Sequence, residues 1–164
     1  MIQKILYFLL ISFISFTFFL EAVPQPLPQG LPSDIEGYSK WTRLNKKIIK
    51  PREADPHFGF KRVYINKDKN DLLDSNNKQI FPYPEETIIV KEVRKTKNKN
   101  SRIVLVSIMR KLPGNETTGG WDFVEYTRSQ DGSFSQIAFP KESCYACHQG
   151  ASDRDAVWTK FDNF

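Results

Sequence analysis

Cysteine, histidine and methionine are scarce in this chain, with two residues of each among 164. Two cysteines cannot make a disulfide framework, and the single methionine beyond Met1, Met109, sits inside an apolar run. No cysteine stands directly after the N-terminal apolar stretch, which excludes the lipid-attachment site of a bacterial lipoprotein. That stretch, Ile5 to Leu20, falls short of the ~20 residues needed to span a bilayer and is interrupted by Ser12, Ser15 and Thr17. No internal repeat is present. In the basic segment Lys91 to Arg102 no aromatic residue interleaves with the charges, which argues against a nucleic-acid surface.

What is present begins with an export signal. Lys4 precedes the apolar run, and Ala22 offers a small residue before polar, proline-rich sequence, so residues 1–22 are expected to be a cleaved signal peptide. The expected location is periplasmic, with no membrane anchor after cleavage. Lys4 and Glu21 leave together, and the net charge of +5 is unchanged. Residues 23–32, VPQPLPQGLP, read as a proline-rich spacer. Residues 33–164 then make one domain of ordinary size.

Two hydrophobic periods organise that domain. Ser33 and Glu36 have the spacing of a capping box, and Tyr38, Trp41 and Leu44 follow at helical intervals, which predicts an N-terminal helix. From Phe60 the period is two: FKRVYIN, TIIVKEV (Thr87 to Val93), RIVLVSIMRKL (Arg102 to Leu112), WDFVEYTR (Trp121 to Arg128) and FSQIAF (Phe134 to Phe139) predict five strands. Short joints, among them the Asp131-Gly132 turn, favour an antiparallel sheet. Ser152 is placed to cap a closing helix with an apolar stripe of Ala156, Val157, Trp158 and Phe161. The expected class is α+β. Lys91 to Arg102 reads as a solvated hairpin loop, or as a docking surface for an acidic redox partner.

The scarce residues carry the chemistry. In ESCYACHQG, Cys144 and Cys147 lie about one helical turn apart and His148 follows directly. A disulfide between them closes a very small loop and constrains the unfolded chain little. Thioredoxin-like use of the pair belongs in an alternating α/β context, not at the end of a β-rich chain. Zinc would need His57 as a fourth ligand. Cys-x-x-Cys-His is also the attachment signature of c-type haem: two thiols reach the porphyrin vinyl groups and the next imidazole is delivered beneath the iron. Compartment, position and motif agree on that reading, with one covalently attached haem c and His148 as its axial ligand. For the sixth position the candidates are His57, in a Pro56/Gly59 turn, Met109, in a strand, or a lysine; an open, aromatic-rich distal pocket is favoured.

YSKWTRLN, DPHFGFKRVYIN, YPEETIIVKEV, MRKLPG, GGWDFVEY and CYACHQGASDRDAVWTKF, in that order, resemble the cytochrome P-460 family. The resemblance implies a periplasmic c-type cytochrome, usually a homodimer, with a mostly antiparallel β fold and five-coordinate haem. It implies, as the first reading, binding of nitric oxide or another diatomic behind a phenylalanine cap, with oxidation of hydroxylamine on a haem cross-linked to a lysine as the alternative. A plain electron-transfer cytochrome is the third reading. Cys144 and Cys147 carry over as thioether donors and His148 as axial ligand. Glu125 is the candidate distal carboxylate for proton removal, on the same strand face as Trp121 and Phe123. Lys67 and Lys69 are the first lysines to consider for a cross-link, although their polar surroundings favour none. Phe58, Phe60, Phe81 and Trp121 are candidates for the cap.

Overall fold

The computed structural model describes residues 26–161, so the expected signal segment 1–22 lies outside the described residues. Six strands form one antiparallel sheet in sequence order: β1 (Thr42–Arg43), β2 (Phe60–Ile65), β3 (Ile88–Arg94), β4 (Ile103–Lys111), β5 (Trp121–Arg128) and β6 (Phe134–Ile137). Five of these are the strands expected from alternation. The sixth, β1, pairs Thr42 with Ile65 and Arg43 with Tyr64, and two residues are too few to display a period. The β3–β4 turn is also tighter than expected, because β3 runs on to Arg94 and only residues 95–102 remain as loop. Arg94 ties that loop down by donating to the carbonyls of Lys99 and Ser101.

Side chains alternate across the sheet, so each face builds its own core. One face carries Val63, Ile65, Ile89, Met109, Trp121 and Phe123, covered by Leu44, Leu72, Tyr83, Ala156 and Val157. The opposite face carries Tyr64, Val90, Val106, Ile108 and Tyr126, covered by Leu31, Ile35 and Tyr38. The second core explains why the expected N-terminal helix is not formed. Ser33–Ile35 and Tyr38–Lys40 are separate 3-10 turns, and Gly37 breaks between them with φ of 73°. The break lets both Ile35 and Tyr38 reach the sheet, where the Tyr38 hydroxyl donates to buried Glu92 at 2.9 Å. Tertiary burial thereby outweighs a local capping pattern. Leu27 and Leu31 of the proline-rich segment pack on the same core, and the Gln29 carbonyl accepts the Phe134 N–H at 2.8 Å.

Beyond β6 the chain turns at Pro140 into α1 (Lys141–His148), which lies against β5. A 3-10 segment, Gln149–Arg154, follows. The expected closing helix capped by Ser152 does not form: Asp155 and Ala156 both take left-handed conformations, φ 53° and 61°. Ala156 and Val157 nevertheless enter the core, while Trp158 stays 49% exposed. Among the described residues, no helix is long and apolar enough to cross a membrane.

Candidate functional site

α1 and the segment after it roof the first core, and between roof and sheet lies a cavity of about 1050 Å³. Cys144, Cys147 and His148 line it from the helix; Ile89, Lys91, Ser107, Met109, Phe123 and Glu125 line it from the sheet. The site is therefore assembled from a local motif and from residues brought beside it by strand register.

Both cysteines are free thiols, Cys144 partly buried and Cys147 exposed. Burial, reinforced by the nearby Glu125 carboxylate, pushes the Cys144 thiol up to about 11, so it remains protonated at neutral pH. His148 stands edge-on to Phe123, ring centroids 5.0 Å apart. Its Nδ1 lies 2.6 Å from the Ala156 carbonyl oxygen, which can only accept, so Nδ1 carries the hydrogen and Nε2 is left with its lone pair. Burial pushes the imidazole down to about 4, against the opposing effect of that hydrogen bond, and keeps it in the neutral form that ligates metals.

The sheet wall is built on one row. Antiparallel register sets Val63 opposite Lys91, Lys91 opposite Ser107, and Ser107 opposite Glu125, across β2 to β5. His57, from the turn before β2, bridges the row: its Nε2 pairs with Glu125 Oε1 and its Nδ1 meets Lys91 Nζ at 2.7 Å. Burial presses the Glu125 carboxyl upward, but the hydrogen bond from His57, with Lys91 and Ser107, holds it below its usual range. Burial also lowers Lys91, to about 8. Beside this row Lys61 pairs with Asp55 at 2.7 Å, and Asp55 accepts the His57 backbone N–H at 2.9 Å.

Several expectations find their positions here. Glu125 does share a face with Trp121 and Phe123, and its partner is His57, with Lys91 beyond. His57 is taken up by Glu125 and Lys91, which leaves the zinc reading without its fourth ligand. Met109 is core, 6% exposed. The expected aromatic cap is not found among the described cavity residues: Phe58 is 70% exposed, Trp121 is fully buried, and neither they nor Phe60 nor Phe81 line the cavity, whereas Phe123 and Phe139 do. Lys67 and Lys69 also lie off the cavity wall, which Lys61 and Lys91 occupy. The sequence reading missed Lys91 because it counted that lysine into a charged loop. The available clue was its place in IIVKEV, where it falls on the inward phase with Ile89 and Val93.

A family model described as cytochrome P460 matches residues 35–159, a span that includes the whole sheet, the cavity wall and the Cys-x-x-Cys-His helix. The chain belongs to the cytochrome P460 family. Membership implies a c-type haem protein. No curated protein matches the chain. The cavity residues fit such a group: two thiols and a histidine with its Nε2 lone pair unspent line one cavity, beneath a wall that is apolar at Val63, Ile89, Met109 and Phe123.

Proposed function

We propose that this cytochrome P460 family member is an exported, periplasmic monohaem protein that oxidises a small nitrogen substrate of the hydroxylamine class. Cys144 and Cys147 would hold the haem by thioether bonds and His148 would be its axial ligand. Haem, when bound, supplies an iron that takes up the nitrogen ligand and passes its electrons to an external one-electron acceptor. Such an oxidation also releases protons, and the reading rests on the group placed to accept them.

That group is Glu125. Below about pH 8 Lys91 is an ammonium and has only hydrogens to offer, so Lys91 Nζ donates to His57 Nδ1. His57 then carries its remaining hydrogen on Nε2 and donates it to Glu125 Oε1. Glu125 is thereby held ionised on the cavity wall, able to take a proton from a ligand there. Lys91 and His57 fix the charge and direction of the carboxylate; they are positioning residues. A cavity built only to trap a diatomic gas has no use for an oriented base. Where a lysine is joined to the porphyrin, Lys47, Lys61, Lys91 and Lys160 are the residues to map, since all four line the cavity.

The second reading, a binding protein for nitric oxide or a similar diatomic, is favoured by the apolar wall of Ile89, Met109, Phe123 and Phe139. Both readings allow a homodimer and an acidic redox partner. Anaerobic assay of holoprotein with hydroxylamine and a chemical electron acceptor separates them. The expected result is turnover that falls ~10²–10⁴-fold in Glu125→Gln, with haem attachment intact. Tight nitric oxide binding without any turnover would instead support the gas-binding reading.

A further inference from the structure

The haem motif ends at His148, yet the residues that fix this imidazole come seven and eight positions later. Asp155 and Ala156 both sit in the left-handed region, at φ 53° and 61°, without being glycine. Side chains adopt that conformation only where their surroundings over-determine it. Around Asp155 they do. Its Oδ1 accepts from Lys111 Nζ at 2.6 Å, its Oδ2 from the Tyr83 backbone N–H at 2.9 Å, and its carbonyl from Trp121 Nε1 at 2.8 Å. Lys111 also donates to the Gly119 carbonyl at 3.0 Å and stands over the Trp121 ring. The anchors come from the end of β4, the start of β5 and the loop before β3, all parts of the sheet side of the domain.

What this anchorage presents is the Ala156 carbonyl, which accepts from His148 Nδ1. Ala156 is itself 4% exposed, and its N–H is held by the Ala151 carbonyl at 3.0 Å. We infer that Asp155 is a positioning residue for the axial ligand: it locks a left-handed turn onto the sheet so that Ala156 selects the tautomer and orientation of His148. The inference rests on the proposed axial role of His148. Its physical consequence is electronic as well as mechanical. A hydrogen bond donated from Nδ1 makes the imidazole a stronger donor through Nε2, which favours the oxidised metal. Slackening the turn weakens that bond, raises the reduction potential and weakens the bond between iron and histidine.

The test uses holoprotein carrying Asp155→Asn, Asp155→Ala or Lys111→Met, with Asp153→Asn as control. Asp153 is a nearby carboxylate, its side chain 73% exposed and paired with Arg154 at 3.3 Å. Midpoint potential is read by spectroelectrochemistry, and the iron–histidine stretch by resonance Raman of the ferrous protein. Asp155→Ala and Lys111→Met should shift the stretch to lower frequency and the potential upward, Asp155→Asn less, and Asp153→Asn neither. If Asp155→Ala does not fold, the Asn and Lys111 variants carry the comparison. A merely structural Asp155 would lower the melting temperature while leaving band and potential at wild-type values, and that result overturns the inference. A His148→Gly protein with the wild-type spectrum would remove the axial assignment, and this inference with it; a changed spectrum in His148→Gly beside unshifted Asp155 variants would overturn this inference alone.

Discussion

Lys91 and Glu125 stand in one row across the sheet, two strands apart, with Ser107 between them in register and His57 reaching both from the turn before β2. Neighbouring strands lie about 4.8 Å apart, so the two charges are separated by roughly 10 Å of sheet at the backbone. An imidazole is of the right size to join them. The row converts an ordinary antiparallel register into an ionised carboxylate of fixed direction on the wall of a cavity that also holds Cys144, Cys147 and His148.

The pH dependence of any turnover should report this row. Burial raises the Glu125 carboxyl, and His57, Lys91 and Ser107 together lower it by more. Taking away the lowering partner in His57→Ala moves the Glu125 pKa upward, so the acid limb of kcat/KM should shift to higher pH. A pH–rate profile unchanged from wild type would remove His57 from the role assigned to it.

Haem retention tests attachment separately from turnover. Protein made with a haem-ligation system should keep its haem through acid extraction in organic solvent, because thioether bonds survive unfolding. Cys144→Ala combined with Cys147→Ala should release it. Loss of haem from the wild type would end the c-type reading while leaving family membership intact.

On the opposite face, Glu92 is 1% exposed and is satisfied by the Tyr38 hydroxyl at 2.9 Å and Arg94 Nε at 2.8 Å. Tyr38→Phe removes one donor and leaves a buried carboxylate short of a partner. Urea denaturation should show a loss of about 1–3 kcal/mol. An undiminished midpoint would mean that Arg94 alone satisfies Glu92.

Asp34 holds the N-terminal turns to β4 through a two-pronged pair with Arg110, at 2.7 and 3.0 Å. That hydrogen bond lowers the Asp34 carboxyl below its usual range, ahead of a smaller opposing effect of burial. A depressed carboxyl stabilises the fold above its unfolded pKa of about 3.9, and the contribution fades as pH falls through the folded value. The Asp34 side chain is 44% exposed, so Asp34→Asn should cost only about 0.2–1 kcal/mol at pH 7. Thermal unfolding of the two proteins should converge in acid. A difference that persists below pH 2 would assign the effect to packing instead of charge.

What this sequence determined by itself was whatever a few neighbouring residues decide. Cys-x-x-Cys-His is a spacing within α1, and strands β2 to β6 are alternations within single segments, so both are legible without knowledge of the rest of the chain. Tertiary structure decided the remainder, because there the competing forces act between residues far apart. The capping pattern at Ser33 lost to the burial of Ile35 and Tyr38 on the outer face. The closing helix lost to Tyr83, Lys111 and Trp121, which hold Asp155 in a conformation no helix contains. His57, Lys91 and Glu125 meet only because antiparallel register sets β3, β4 and β5 side by side, and no local period encodes which residue of one strand faces which residue of the next.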